Sequence, residues 1–268
     1  MMTIKAKEYI DTLAARGETS FTAQNMRDQM GATAKSVERA LYRLKRKGEI
    51  ASLAKGYYLI LTPEFRKLGC LPPDYFIDDL MRHWKQNYYV GLLSAALYFG
   101  AAHQQPQIFQ VVTDQYRRDL TCGGVKIEFI TKKNIPDIPV TQLKTHAGFM
   151  NVSAPETTMM DLCLFLRRSG GLSHVATILD ELAESVEPSA LKNLLEKNTE
   201  TTWMQRLGYV LDQLDHQDLS NILYEHLKNQ QTNIVALVPY YPMRGAERDA
   251  KWRIAINAVM ESDVHDTD

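Results

Sequence analysis

Cysteine is scarce in this sequence: three residues in 268, Cys70, Cys122 and Cys163, with no CxxC pair. That spacing supplies neither a disulfide framework nor a thiolate zinc site, and it fits a reducing cytoplasm. Long apolar runs are missing too. The most apolar stretch, Tyr88 to Ala102, is interrupted by Gly91, Ser94 and Gly100 and falls short of the ~20 residues a membrane helix needs. The N-terminus, MMTIKAKEYIDTLAARGE, has no signal-peptide apolar core, so a cytoplasmic protein without membrane association is expected. The familiar catalytic signatures are also absent: no Walker loop, no GxGxxG after a strand, no GxSxG elbow and no HExxH helix. The seven histidines are scattered, and His103 and His146 read as structural. No metal and no cofactor is expected, and no enzyme.

A net charge of one sign is lacking as well, with 31 basic residues against 32 acidic. The distribution carries more information than the total. Residues 1–60 hold 11 Lys and Arg against 6 Asp and Glu, which leaves 20 against 26 for the remainder. A basic N-terminal module joined to an acidic C-terminal one is the asymmetry expected when one domain touches a polyanion.

What is present in that basic module is a run of helix punctuation. A first helix reads from about Thr3 to Arg16, with Ile4, Ile10, Leu13 and Ala14 as its apolar side, and stops at Gly17. Thr22 is placed to cap a short second helix to Met30, Gly31 opens a tight turn, and Thr33 caps a third helix to about Lys47, before Gly48. Two short helices around a Gly-containing turn are the layout of a helix-turn-helix. On the third helix Val37, Leu41 and Leu44 fall within about 60° of one another, a stripe for the core. Lys35, Ser36, Arg39, Tyr42, Arg43 and Arg46 lie on the opposite half, with Glu38 the only acid. The second helix of such a motif enters the major groove. Arg39 and Arg43 suit bidentate donation to guanine, while Lys35, Ser36, Tyr42 and Arg46 are placed for bases or phosphates. Residues 49–53 and 57–61 then alternate about Ala54-Lys55-Gly56, a β-hairpin or wing. Lys55 at its tip and Tyr57 beside it are expected at phosphate or minor groove. The candidate double-stranded DNA interface is therefore Thr22, Thr33, Lys35, Ser36, Arg39, Tyr42, Arg43, Arg46, Lys55 and Tyr57.

Pro63, Gly69, Pro72 and Pro73 mark a linker. Asp74 to Trp84 reads as a helix with Phe76, Ile77, Leu80 and Met81 on one side, and Tyr88 to Gly100 as a second, more buried helix. Gln107–Val112 and Val125–Ile130 read as strands. Leu172 to about Lys228 reads as helices broken near Glu187-Pro188, at Asn198–Thr202 and near Asp215-His216, and Ile234–Val238 and Trp252–Ala258 as closing strands. The fold class is α+β: an N-terminal winged helix-turn-helix, then a mixed α/β C-terminal domain with a late helical bundle. Asp119 followed by Glu128 has a faint look of a metal-dependent nuclease core, but that core needs a lysine two residues beyond the Glu, and Lys132 is out of that register. Arg117-Arg118 with Lys126 and Lys132-Lys133 offer a basic surface near the strands, although on a net acidic domain ordinary solvated charges are the favoured reading.

The second module resembles the C-terminal domain of the AbiEi-type antitoxin and regulator family. The likeness is carried by YYVGLLSAALYFGAAHQQPQIFQVV at 88–112, Ile127-Glu128-Phe129, and Val152-Ser153-Ala154-Pro155-Glu156-Thr157 with Asp161-Leu162. Gln205-Arg206-Leu207-Gly208-Tyr209 and Lys251-Trp252-Arg253-Ile254 with Asn257 complete it, in that order. The resemblance implies an N-terminal domain that binds inverted repeats in the promoter of its own operon and represses it. It also implies a C-terminal domain that counteracts a nucleotidyltransferase-like toxin in a type IV toxin–antitoxin or abortive-infection system, with or without direct contact. It supplies no catalytic residues. The matched polar residues read as fold-keeping, with Arg206 pairing Glu156 or Asp161 and Trp252 covering the core.

The expected segments are a DNA-binding domain at 1–62, a linker and connecting helix at 63–87, the AbiEi-like domain at 88–260 and a polar tail at 261–268. Half-sites one helical turn apart would require two protomers on one DNA face. Two alternatives stand beside this reading: a stand-alone winged-helix regulator with a ligand-sensing or oligomerisation domain and, more weakly, a DNA-targeting nuclease.

Overall fold

The computed structural model describes residues 4–101 and 106–260; the expected tail at 261–268 and His103 lie outside the described residues. The chain is mixed α and β and separates into two compact units. The first comprises Met1–Tyr89, Gln107–Ile135 and Gln142–Asn151, and the second Val90–Pro106, Pro136–Thr141 and Val152–Asp268.

The first unit begins with α1 (Ala6–Ala15), β1 (Ser20–Thr22), α2 (Ala23–Met30), α3 (Ala34–Arg46) and the hairpin β2 (Ile50–Ala54) and β3 (Tyr57–Ile60). The three strands order β1-β3-β2, all antiparallel. One core holds these elements together: Tyr9, Ile10, Leu13, Phe21, Met26, Val37, Leu41, Leu44, Ile50 and Ile60 are buried against each other. The apolar stripe of α3 therefore faces α1, α2 and the sheet, which turns its polar half outward.

The chain continues through a 3₁₀ turn at Pro73–Tyr75 into α4 (Ile77–Trp84), so only the later part of the helix expected from Asp74 is α-helical. Phe76, Ile77, Leu80 and Met81 are all buried, as the apolar spacing requires. A second sheet contains β4 (Tyr88–Val90), β5 (Phe109–Thr113), β6 (Leu120–Cys122), β7 (Val125–Thr131), β8 (Val140–Thr145) and β9 (Gly148–Ser153), in the order β6-β7-β5-β4-β9-β8. β5 and β7 run parallel and β6 and β7 antiparallel.

Tyr88 to Gly100 is not the single helix expected: Tyr88–Val90 is a strand, and α5 (Leu92–Tyr98) begins only after Gly91. Two aromatics and a β-branched residue, all three buried, favour the pleated surface of a sheet over a helix.

The second unit is mainly helical. It contains α5, α6 (Pro155–Leu164), α7 (Leu172–Ala183), α8 (Pro188–Glu196), α9 (Thr202–Gln213) and α10 (Gln217–Leu227). Three short strands, β10 (Val235–Ala236), β11 (Glu247–Asp249) and β12 (Ile254–Ile256), close it in the order β10-β12-β11. Pro188 at the first position of α8 explains the break before it, because proline starts helices and cannot continue them.

Candidate nucleic-acid interface

Threonine side chains cap the N-termini of both α2 and α3. Thr22 Oγ1 accepts from the Asn25 backbone N–H at 3.0 Å and so caps α2. Gly31 ends that helix at φ 56°, a conformation that costs glycine little. Two residues later Thr33 Oγ1 accepts from Ser36 N–H at 3.3 Å and starts α3. The two threonine oxygens thus serve backbone donors and set the starts of the two helices.

From this cap α3 presents Lys35, Ser36, Glu38, Arg39, Tyr42, Arg43 and Arg46, all exposed. Tyr42 keeps 62% of its surface in solvent, and the Arg46 guanidinium lies over its ring at 6.0 Å. Among the described residues, none of Lys35, Arg39, Arg43 and Arg46 forms an ion pair with an acid. Their charge is therefore uncompensated locally and available to an anionic partner. Two hollows border the helix. One, of about 440 Å³, is lined by Gln24 and Arg27 of α2, Glu38, Tyr42 and Lys45 of α3, and Ser52 and Tyr58 of the sheet. The other, of about 630 Å³, is lined by Ser36, Glu38, Arg39, Tyr42 and Arg43.

Lys55 is exposed in the β2–β3 turn, where Ala23 N–H donates to Gly56 O at 2.9 Å and ties the hairpin tip to the start of α2. Lys55 and the Thr22 cap are thereby neighbours. Tyr57 is a correction. It is only 3% exposed, its hydroxyl donates to Ser20 Oγ at 2.7 Å, and its ring lies 5.0 Å from that of His83. Burial pushes its hydroxyl well above the ordinary tyrosine range, with the Ser20 bond opposing. β1, absent from the sequence reading, is what covers it: Thr22 pairs with Tyr57 across the sheet. Gln24, Arg27, Lys45, Ser52 and Tyr58 were not among the expected site residues. Only the three-dimensional approach of α2, α3 and the hairpin brings them to one hollow.

Asp119 and Glu128 do not assemble a metal centre. Asp119 Oδ1 accepts from Phe129 N–H at 3.0 Å and Glu128 Oε2 from Gln110 Nε2 at 3.0 Å, so both carboxylates brace the sheet. Among the described residues no group of three or more His, Cys, Asp or Glu could hold a metal ion. Arg117 is also engaged, donating to Gln86 Oε1 at 2.7 Å with its guanidinium 4.6 Å from the centre of the Trp84 ring.

In the second unit, α9 holds the closing segment. Gln205 Nε2 donates to the carbonyls of Asn233 and Trp252, each at 3.0 Å, and Arg206 Nε to Ala236 O at 3.0 Å. The expected partner of Arg206, Glu156 or Asp161, gives way to this β10 carbonyl. Glu156 is buried in the first turn of α6, and burial raises its carboxyl above the ordinary value. Trp252 does cover the core, as expected, at 2% exposure.

Residues 89–213 match the family model of the AbiEi antitoxin C-terminal domain. Among curated proteins no match is found. The chain is similar in fold to the solved crystal structure of the RV2827C protein from Mycobacterium tuberculosis. The two are 16% identical, with a TM-score of 0.67 over 95% of this chain and 92% of the other. Among the described residues no helix is long and apolar enough to cross a membrane.

Proposed function

We propose that this protein is the antitoxin and autorepressor of a type IV toxin–antitoxin operon. Residues 1–62 are its winged helix-turn-helix, with α3 as the recognition helix and the β2–β3 hairpin as the wing, and they bind repeats in the operon's own promoter. Residues 88–260 counteract a nucleotidyltransferase-like toxin. The observation that carries the DNA half is the exposed face of α3, where four cations stand without acidic partners among the described residues, directly after the turn that Gly31 opens and Thr33 caps. Such a helix docks in the major groove, its N-terminal residues toward base edges and its flanks toward phosphates. The antitoxin half is supported by the family match over residues 89–213. That match and the structural roles of Asp119 and Glu128 support a regulator over a nuclease.

The test separates the halves. The full chain and its Arg39→Ala/Arg43→Ala variant are each co-expressed with the product of the neighbouring gene, expected to be a nucleotidyltransferase-like toxin, and growth and promoter activity are followed together. The proposal expects both proteins to restore growth and only the wild type to repress the promoter. Growth arrest that neither protein relieves would remove the antitoxin half, and unchanged repression by the variant would remove α3 as the reader.

A further inference from the structure

Glu38 is the one acid on α3, and it occupies a particular place. It and Tyr42, one turn further along, line both hollows beside the helix and so form the ridge between them. A side chain that borders two open hollows has room to extend into a surface docked against the helix. Lys35 lies one turn before Glu38 and Arg39 follows it, yet among the described residues the carboxylate makes no ion pair with either.

An unpaired carboxylate facing DNA is repelled by the phosphates, and on an otherwise basic surface it weakens binding to every sequence alike. Its presence becomes favourable only where it accepts a hydrogen bond from a base. In the major groove cytosine offers its N4 amino group as a donor without an acceptor on the same base edge, whereas adenine sets the N7 acceptor beside its N6 donor. We propose that Glu38 is a specificity-determining residue that reads cytosine, its carboxylate accepting from the N4 amino group while Tyr42 packs beside it on the same ridge. The proposal rests on the DNA-binding reading above and deepens it. Arg39 and Arg43 supply attraction and guanine contacts, and Glu38 adds a preference for a C·G pair at one further position.

The test is a gel-shift titration of the full chain, E38A and E38Q on the DNA upstream of the gene. It includes fragments in which each C·G pair of the protected site is changed in turn to T·A or A·T, and a random fragment of equal length. Circular dichroism confirms that each variant is folded, as expected for a change at an exposed side chain. The wild type should lose roughly tenfold in affinity at one C·G pair. E38A should be indifferent to that pair and hold random DNA at least as tightly as the wild type. E38Q should turn toward A·T there, because a glutamine amide matches the N6 and N7 of adenine. If E38A keeps the wild-type loss at every pair, or gains equally on upstream and random DNA, Glu38 is only a repulsive surface charge and the proposal fails. A wild type that shows no preference for the upstream fragment defeats the DNA-binding reading itself, and that result is visible before any variant is compared.

Discussion

The Tyr57 hydroxyl donates to Ser20 Oγ at 2.7 Å, joining β3 to β1 beneath the hairpin. A tyrosine next to the hairpin tip is thus a fold-keeping residue, while Lys55 two positions earlier faces solvent. Tyr57→Phe removes the bond and leaves the aromatic packing. It should lower stability by about 1 kcal/mol in a urea titration and leave DNA affinity at the wild-type value. A loss of affinity in a fully folded Tyr57→Phe protein would return this residue to the interface.

Gly208 on α9 lies under the Trp252 indole so closely that a Cβ there would stand 2.1 Å from the ring. The indole is rigid and buried, so it cannot fold away as a flexible side chain would. Gly208→Ala should therefore destabilise the protein by about 1–3 kcal/mol, the usual cost of overpacking. Thermal unfolding followed by tryptophan fluorescence measures it, and an unchanged midpoint would show that α9 and the closing segment slide apart at little cost.

Asp212 gathers three donors: Ser220 Oγ and Lys251 Nζ at 2.6 Å each, and Trp252 Nε1 at 2.7 Å. Burial opposes its ionisation, but the bonds from Lys251, Ser220 and Trp252 outweigh that and hold its carboxyl below the ordinary aspartate value. A depressed carboxylate stabilises the fold above its unfolded pKa, about 3.9, and the contribution disappears as pH falls through the folded value. Asp212→Asn should accordingly be less stable than wild type at neutral pH, with the gap closing in acid. Chemical denaturation at a series of pH values reads this directly, and a gap that stays constant into acid would remove the ionised Asp212 from the account.

How much of this was legible beforehand follows from which interactions are local. The caps Thr22 and Thr33, the stop at Gly31 and the stripe Val37–Leu41–Leu44 are helix signals contained within a few residues, and they read correctly. So did the breaks between the late helices, marked by Pro188 and by polar loops. What failed depends on partners far along the chain. Tyr88–Val90 is a strand because β9 lies beside it, with Val90 paired to Val152. β8 was missed because Val140–Thr145, with no residue fully buried, lacks apolar alternation. Tyr57 was misplaced because nothing near it in sequence announces β1. Arg206 finds a backbone carbonyl thirty residues on, an acceptor that no residue type advertises.

The arginines of α3 and Lys55 in the hairpin turn should behave differently on DNA. Arg39→Ala or Arg43→Ala should each cost ~1–3 kcal/mol on the upstream site and relax base preference, as loss of a bidentate guanine contact does. Lys55→Ala should weaken all sequences alike and flatten the salt dependence by about one unit of slope. Titrations at several salt concentrations on specific and random DNA separate these outcomes. Equal losses on both DNAs for both arginines would mean that α3 holds phosphates alone.

The central claim is that the basic face of α3 recognises a sequence in the chain's own promoter. A gel-shift titration of the full chain at physiological salt, with the upstream DNA beside a random fragment of equal length, tests it most directly. The upstream fragment should be preferred by roughly a thousandfold. Equal, weak binding to both would contradict it and leave α3 a surface that meets phosphate without reading bases.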